Sequence, residues 1–455
     1  MTNRREFIRK SVLGTAGISI GASAFSAKSY NSIMGSNDRI TVAVIGIRGQ
    51  GGSHIKSWCG LKESNNVRLK TLCDVDEQFF ADRIKTVQSL TGDTPTTQGD
   101  MRKVFEDKEI DAVSLAIPNF WHALATIWAC QAGKNVYVEK PAMHNLFEGR
   151  KMIEAARKYN VRVQTGFQNR SISGVMEAMK FLHEGGIGDV FMAKGLCFKP
   201  RDSFGITADS QPPASLNYDY WLGPCDWRPY NEKKGHYNWH WFWQTGGGDT
   251  GNQGPHQFDV ARWGLNKHEH PVSVFSMGNV FGINPKECAQ ETPNTQTSLI
   301  KYSDGKILEF ETRGRYTNTE SGMGIRVGNM FYGTEGYLEI DGGNWKAYRK
   351  REDKPFAGSG VGEKPADPTF LAPPGGGSHY ANLLDAIRSG KNEDLHCDIA
   401  DGFMSSALPA LANISYRLGR ELNFDGVKEK FIKDKEANKL LTREYRKPYI
   451  VPDIV

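Results

Sequence analysis

The segment Ile40-Thr41-Val42-Ala43-Val44-Ile45, followed at once by Gly46-Ile47-Arg48-Gly49-Gln50-Gly51-Gly52, constrains this chain more than any other stretch. Such a nearly continuous apolar run suits a strand buried on both faces of a parallel sheet. Glycines directly after that strand, where a helix begins, let the backbone approach a pyrophosphate resting on the helix N-terminus. Further strands are expected at 67–73, 112–117, 136–138 and 161–165, with helices at 121–132 and 146–158 between them. That alternation is the rhythm of a doubly wound α/β domain, placed at residues 39–165. Asn145 and Glu148 form a capping pair for the last of these helices.

The strict G-x-G-x-x-G pattern is broken, because Arg48 stands where its second glycine belongs. Asp74, at the end of the next strand, supports the dinucleotide reading, since an acid there accepts hydrogen bonds from the adenosine ribose hydroxyls. It also disfavours a 2′-phosphate, so NAD is expected over NADP. Gly46, Ile47, Arg48, Gly49, Gly51 and Asp74 are the candidate cofactor contacts that follow. The plain alternative is an ordinary turn followed by a surface aspartate.

Beyond about residue 166 the texture changes to strand-like stretches (190–198, 272–279, 297–302, 306–312, 337–341) separated by turns, as in an antiparallel sheet. An aromatic, Gly- and Pro-rich insertion at 200–254 interrupts them, and loops of that length are more often functional than not. Within it, Tyr237-Asn238-Trp239-His240-Trp241-Phe242-Trp243 reads as a sugar-binding wall or, equally, as a core strand or subunit contact. Strand alternation would place Trp239, Trp241 and Trp243 on one face and His240 on the other. His240 and Arg170 are secondary substrate candidates, with His236 and Tyr237 behind them. A surface loop is expected at 356–377, then helices at 379–389 and 403–418.

At the front, Arg4, Arg5, Arg9 and Lys10 precede a mildly apolar run with small residues at Ala22, Ala24 and Ala27, the order of an export signal over 1–27. Thr2-Asn3-Arg4-Arg5-Glu6-Phe7-Ile8 resembles the twin-arginine type, whose route carries folded, cofactor-loaded proteins. The expected location is therefore periplasmic, with no stable membrane insertion after processing, because the run is too short to span a bilayer. Of the formal charge of +5, the signal accounts for most, and nothing in the remainder suggests nucleic acid. Seven cysteines show neither metal spacing nor a disulfide framework; they read as mostly buried thiols, and no metal is expected.

Val138-Glu139-Lys140-Pro141, preceded by Ile117-Pro118-Asn119-Phe120-Trp121-His122 and followed by Gly166-Phe167-Gln168-Asn169-Arg170, resembles the Gfo/Idh/MocA family of oxidoreductases, which includes glucose-fructose oxidoreductase and inositol dehydrogenase relatives. Gly333-Thr334-Glu335-Gly336 and the stretch from His379 to Gly390 carry the resemblance towards the C-terminus. It implies a Rossmann domain followed, at 166–455, by an α/β domain built on a large open-faced, mainly antiparallel sheet, with the active site between. It also implies cofactor contacts from Pro118, Asn119, His122, Glu139, Lys140 and Gln168, with Lys140 beside both nicotinamide and the reacting hydroxyl. The family's G-x-x-x-D-x-G-x-H pattern falls on Gly248 to His256, with Asn252 in place of the acid. His256 is thus the candidate proton acceptor and substrate contact, oriented by the Asn252 amide or by Asp249 or Asp259, and expected to be a weaker base than in a histidine–aspartate pair.

The expected activity is NAD-dependent oxidation or reduction at a hydroxyl or keto carbon of a sugar, glycoside or polyol. The alternatives are glycoside cleavage through transient sugar oxidation, and a noncatalytic sugar or dinucleotide sensor. An open-faced sheet implies a homo-oligomer, a dimer or tetramer.

Overall fold

The computed structural model describes residues 38–360 and 378–455. The signal and most of the loop expected at 356–377 lie outside the described residues. Two sheets organise the fold. The first holds β1 (Ile40–Ile45), β2 (Val67–Cys73), β3 (Thr96–Gln98), β4 (Ala112–Leu115), β5 (Asn135–Glu139) and β6 (Val163–Gly166) in the order β3-β2-β1-β4-β5-β6. All five pairings are parallel. β1 is buried along its whole length, as its unbroken apolar run requires. Because the chain leaves β1 and β4 in opposite directions along the sheet, a crevice opens at their carboxyl ends, where ligands bind in such sheets.

The helix Leu146–Lys158 starts as its sequence dictates. The Asn145 side chain accepts from the Glu148 amide at 3.1 Å, and Glu148 Oε2 accepts from the His144 amide at 2.9 Å. The helix His379–Ser389 comes late in the chain yet packs on the first sheet. Tyr380, Leu383 and Leu384 join the cluster containing Val42, Val44 and Leu72, and the Tyr137 and Tyr380 rings stack 4.5 Å apart.

The second sheet comprises β7 (Val190–Cys197), β8 (Ser273–Asn279), β9 (Thr295–Lys301), β10 (Ile307–Arg313), β11 (Val327–Gly333), β12 (Gly336–Asp341), β13 (Asn344–Arg349), β14 (Ala357–Gly358), β15 (Leu422–Asp425) and β16 (Lys430–Phe431). Its order is β14-β13-β12-β11-β7-β10-β9-β8-β15-β16, antiparallel except where β7 meets β10. Helices Gly254–Gly264 and Ile399–Leu418 cover one face; Phe258 meets Phe310 at 4.5 Å, and the Ser415 hydroxyl accepts from the Ser276 amide. On the other face Ile325 packs on Leu196 and Met330, while Met277, Leu299 and Ile307 are exposed on adjoining strands. All seven cysteines are buried and unpaired.

Candidate active site between the two sheets

The glycine turn is built by close approach. Gly46 has φ +82°, and a Cβ there would lie 2.6 Å from the Ala116 carbonyl oxygen; one on Gly51 would lie 1.8 Å from the Gly46 oxygen. These two positions therefore demand glycine. Arg48, at the broken position, has φ −77°, which any residue adopts, and its guanidinium lies over the Phe79 ring at 5.1 Å. The helix Gly49–Gly60 then begins with no side-chain cap. A Cβ on Gly49 would meet nothing within 4 Å, so uncapped amides border open space, the arrangement that accepts a phosphate.

Asp74 closes the far side of the turn. Its Oδ2 accepts from the Ile47 amide at 2.8 Å and its Oδ1 from the Asp76 amide at 3.0 Å. Burial pushes its pKa up, and these amide bonds oppose the shift. Turn and carboxylate line a cleft of about 490 Å³ whose walls also include Pro118, His122, Glu139, Lys140, Gln168, Trp239, His240, Asn252 and His256. Uncapped helix end, glycine turn and strand-end acid together fit the phosphates and adenosine ribose of a dinucleotide.

At the opposite end, β5 delivers Glu139 and Lys140. Glu139 is buried, and Oε1 accepts from Gln50 (3.2 Å), His54 (2.9 Å) and Gln168 (2.8 Å), while Oε2 accepts from the Lys140 amide (3.2 Å). Burial alone would raise its pKa. The His54 hydrogen bond, with the charge of Lys140, instead holds it down at about 2. Glu139 is thus an ionised post that fixes the strand end carrying Lys140. Lys140 Nζ donates to the Asn252 carbonyl at 2.9 Å and to Asn252 Oδ1 at 3.4 Å. Burial lowers the lysine pKa, with Glu139 opposing.

His256 stands on the helix that follows Asn252. Its ring meets Phe167 edge-on at 6.1 Å, and its Nδ1 is buried with no hydrogen-bond partner. Burial first, then the Lys140 charge, lowers its pKa to about 3, so the ring is neutral at physiological pH. The expected orienting partners are engaged elsewhere. Asn252 turns its oxygen to Lys140, Asp249 pairs with Arg201 at 2.9 Å, and Asp259 pairs with Arg170 at 2.8 Å.

Several expected contacts move for physical reasons. Arg170 is buried, donates three times to Asp259 and lies over the Trp263 ring at 5.3 Å; it is a core ion pair, and it does not line the cleft. Asn119 lines a separate cavity of about 350 Å³ behind the Lys140-Pro141 wall, because the helix Asn119–Gln131 turns it away from Pro118. His122 keeps a place on the cleft, but its ring nitrogens face the carbonyls of Pro141 (2.7 Å) and Ile117 (2.9 Å), which makes it a brace between loops. The tryptophan alternation is lost because Asn238–Trp241 forms a 3-10 turn with about three residues per turn. Trp239, stacked on His240 at 3.6 Å, reaches the cleft. Trp241 is buried under the Arg201 guanidinium, and Trp243 faces the separate cavity. Burial lowers the His240 pKa to about 3, and its Nδ1 lies 2.7 Å from the Tyr237 carbonyl oxygen.

Residues that the sequence did not single out as contacts also line the cleft, among them Gln50, Lys199, Arg201 and Gln253. Lys199-Pro200-Arg201, one residue after β7, carries the signal: two cations just past the carboxyl end of a strand.

Residues 40–167 match the oxidoreductase family's NAD-binding Rossmann fold, and residues 204–312 and 370–451 match its C-terminal α/β domain. The chain belongs to the Gfo/Idh/MocA oxidoreductase family. Levoglucosan dehydrogenase of Pseudarthrobacter phenanthrenivorans is 23% identical over 269 residues, spanning 56% of this chain and 60% of that one. A glycosyl hydrolase family 109 protein of Shewanella pealeana is 27% identical over 172 residues, 34% of this chain and 37% of the other. Thus the chain spans less than two thirds of the length of these relatives. The WlbA dehydrogenase of Bordetella pertussis, solved with NADH and UDP-GlcNAcA, superposes with a TM-score of 0.62 at 19% identity over 85% of this chain and 98% of that one. Levoglucosan dehydrogenase in complex with NADH gives 0.62 at 17% identity over 85% and 99%. At such identities the likeness is one of fold.

Proposed function

We propose that this protein oxidises a hydroxyl carbon of a sugar, glycoside or polyol, or reduces the corresponding ketone, with NAD in the cleft. The observation that carries this reading is the meeting of Lys140, Asn252 and His256 in the same cleft as the glycine turn and Asp74. NAD, when bound, takes the carbinol hydrogen as hydride, and the hydroxyl proton must go to the protein. Lys140 commits two N–H directions to Asn252. A remaining one is free for the substrate oxygen, where it stabilises negative charge as the O–H bond breaks. His256 lines the cleft and is neutral, so its ring can take that proton, though only as a weak base. The Trp239 and His240 rings supply an apolar platform for C–H faces of the sugar.

The test is to denature the purified protein, assay released nucleotide, and follow the NADH absorbance of the native protein across sugars and glycosides. Reduction by one of them, abolished in Lys140→Ala, is the expected result. A protein that neither carries nor binds NAD refutes the proposal and favours the sensor reading. A second reading, glycoside cleavage through transient oxidation, is favoured by two weakly basic groups in one cleft, since it needs a second base for the proton beside the new ketone. Cleaved glycoside with no net NADH would establish it.

Two further expectations are proposals. The sheet face with Met277, Leu299 and Ile307 exposed beside the Lys194–Glu309–Glu311–Glu320 cluster suits pairing with a second copy; a monomer by light scattering removes the idea. Export through the twin-arginine signal predicts that Arg4→Lys with Arg5→Lys leaves the protein in the cytoplasm.

A further inference from the structure

Charges at the reacting end of the cleft do not cancel. Arg201 is neutralised by a two-pronged pair with Asp249, at 2.9 and 3.1 Å, and its guanidinium is spent on Trp241. Glu139, hydrogen-bonded by His54, Gln50 and Gln168, keeps its charge, which acts on Lys140. Two ammonium groups share this end, and only Lys140 has the Glu139 carboxylate acting on it. Lys140 is held by the Asn252 oxygens. Lys199 donates to a neutral amide, Gln253 Oε1, at 2.5 Å. That amide is fixed in turn, since Gln253 Nε2 donates to Gln257 Oε1 at 3.2 Å. Among the described residues no carboxylate lies within ion-pairing distance of either lysine. Lys199 is half-buried and lines both the cleft and an adjoining space that reaches to Gly342 and Gly343.

A ligand entering this cleft strips water from Lys199. With a neutral sugar the ammonium keeps one amide bond and loses its hydration, which is costly for a compact, strongly hydrated cation. A carboxylate on the ligand replaces that water with a charge-assisted hydrogen bond. We propose that the cleft selects acidic sugars, of the uronate class, and that Lys199 takes the carboxylate while Lys140 faces the reacting hydroxyl. The inference rests on the sugar reading above. One ammonium beside a fixed neutral amide matches a singly charged carboxylate better than a phosphate, which draws on several donors.

The test is calorimetric, on the complex with NADH, using D-glucuronate, its neutral isostere D-glucuronamide, and D-glucose. Glucuronate should bind about tenfold more tightly than glucuronamide. The preference should fall below about threefold in Lys199→Gln and return in Lys199→Arg. In the wild type it should also shrink as salt is raised from about 20 to 500 mM. Equal binding of glucuronate and glucuronamide, no glucuronate binding, or a preference that survives Lys199→Gln would each overturn the proposal. If Lys199→Gln does not fold, a salt-independent preference in the wild type does the same. Failure of every sugar to reduce NAD speaks against the redox reading alone, because this assay reads binding.

Discussion

Replacing Glu139 by glutamine changes little in shape but inverts the hydrogen bonding at a buried point. The carboxylate accepts from four donors, and an amide must turn its NH2 towards some of them. The magnitude follows from the titration. A carboxyl held at about 2, against 4.5 ordinarily, contributes about 3 kcal/mol to stability at neutral pH, at ~1.4 kcal/mol per pH unit. The folded-state pKa is the depressed one, so the contribution is complete above pH 4.5 and is lost as pH falls from there through 2. By pH 3.5 roughly two fifths of it has gone. With an unfolding entropy of ~2 cal/mol/K per residue over about 400 residues, 3 kcal/mol lowers Tm by roughly 3 to 4 °C. Calorimetric melts of nucleotide-free wild type and Glu139→Gln should therefore differ by that much at pH 7 and by about 2 °C at pH 3.5. Nucleotide must be absent because ligand binding adds its own stabilisation. An equal deficit at both pH values would mean that Glu139 is not held ionised, and no deficit at pH 7 would refute the post argument.

Asn252→Asp places a negative charge against the Lys140 ammonium, favouring its charged form; its pKa rises, and if catalysis uses the neutral amine the acid limb of kcat/KM moves to higher pH. An unmoved limb would assign that step to His256. Gly51→Ala drives a Cβ into the Gly46 carbonyl oxygen, so NAD affinity should fall at least tenfold with the fold retained, as read by fluorescence titration and circular dichroism. Arg170→Ala strands the Asp259 charge and should cost about 3 to 5 kcal/mol of stability; a raised KM in a protein of unchanged stability would return Arg170 to the substrate.

What could be read in advance depended on how local the determinant was. β1, β2, the glycine turn and the Asn145–Glu148 cap are each decided by residues within one turn or strand, and they appear where the sequence puts them. β3 escaped because Thr96-Thr97-Gln98 is a polar, exposed edge with no apolar period to detect. Arg170 looked like a substrate ligand because a lone arginine after a strand end carries no sign of its partner; Asp259 lies 89 positions away. The aromatic run misled for a different reason. Period two and period three share the same seven residues, and the turn at Tyr237, with φ +75°, chose the second and sent Trp239, Trp241 and Trp243 into three surroundings. The cleft's charge was equally hidden, since whether Lys199 or Arg201 is neutralised depends on which of them reaches Asp249. Residue types with a chemical role were therefore visible from the chain, whereas the division of roles among Lys140, Lys199, Asn252 and His256 is a property of long-range pairing, and it is there that substitutions discriminate between mechanisms.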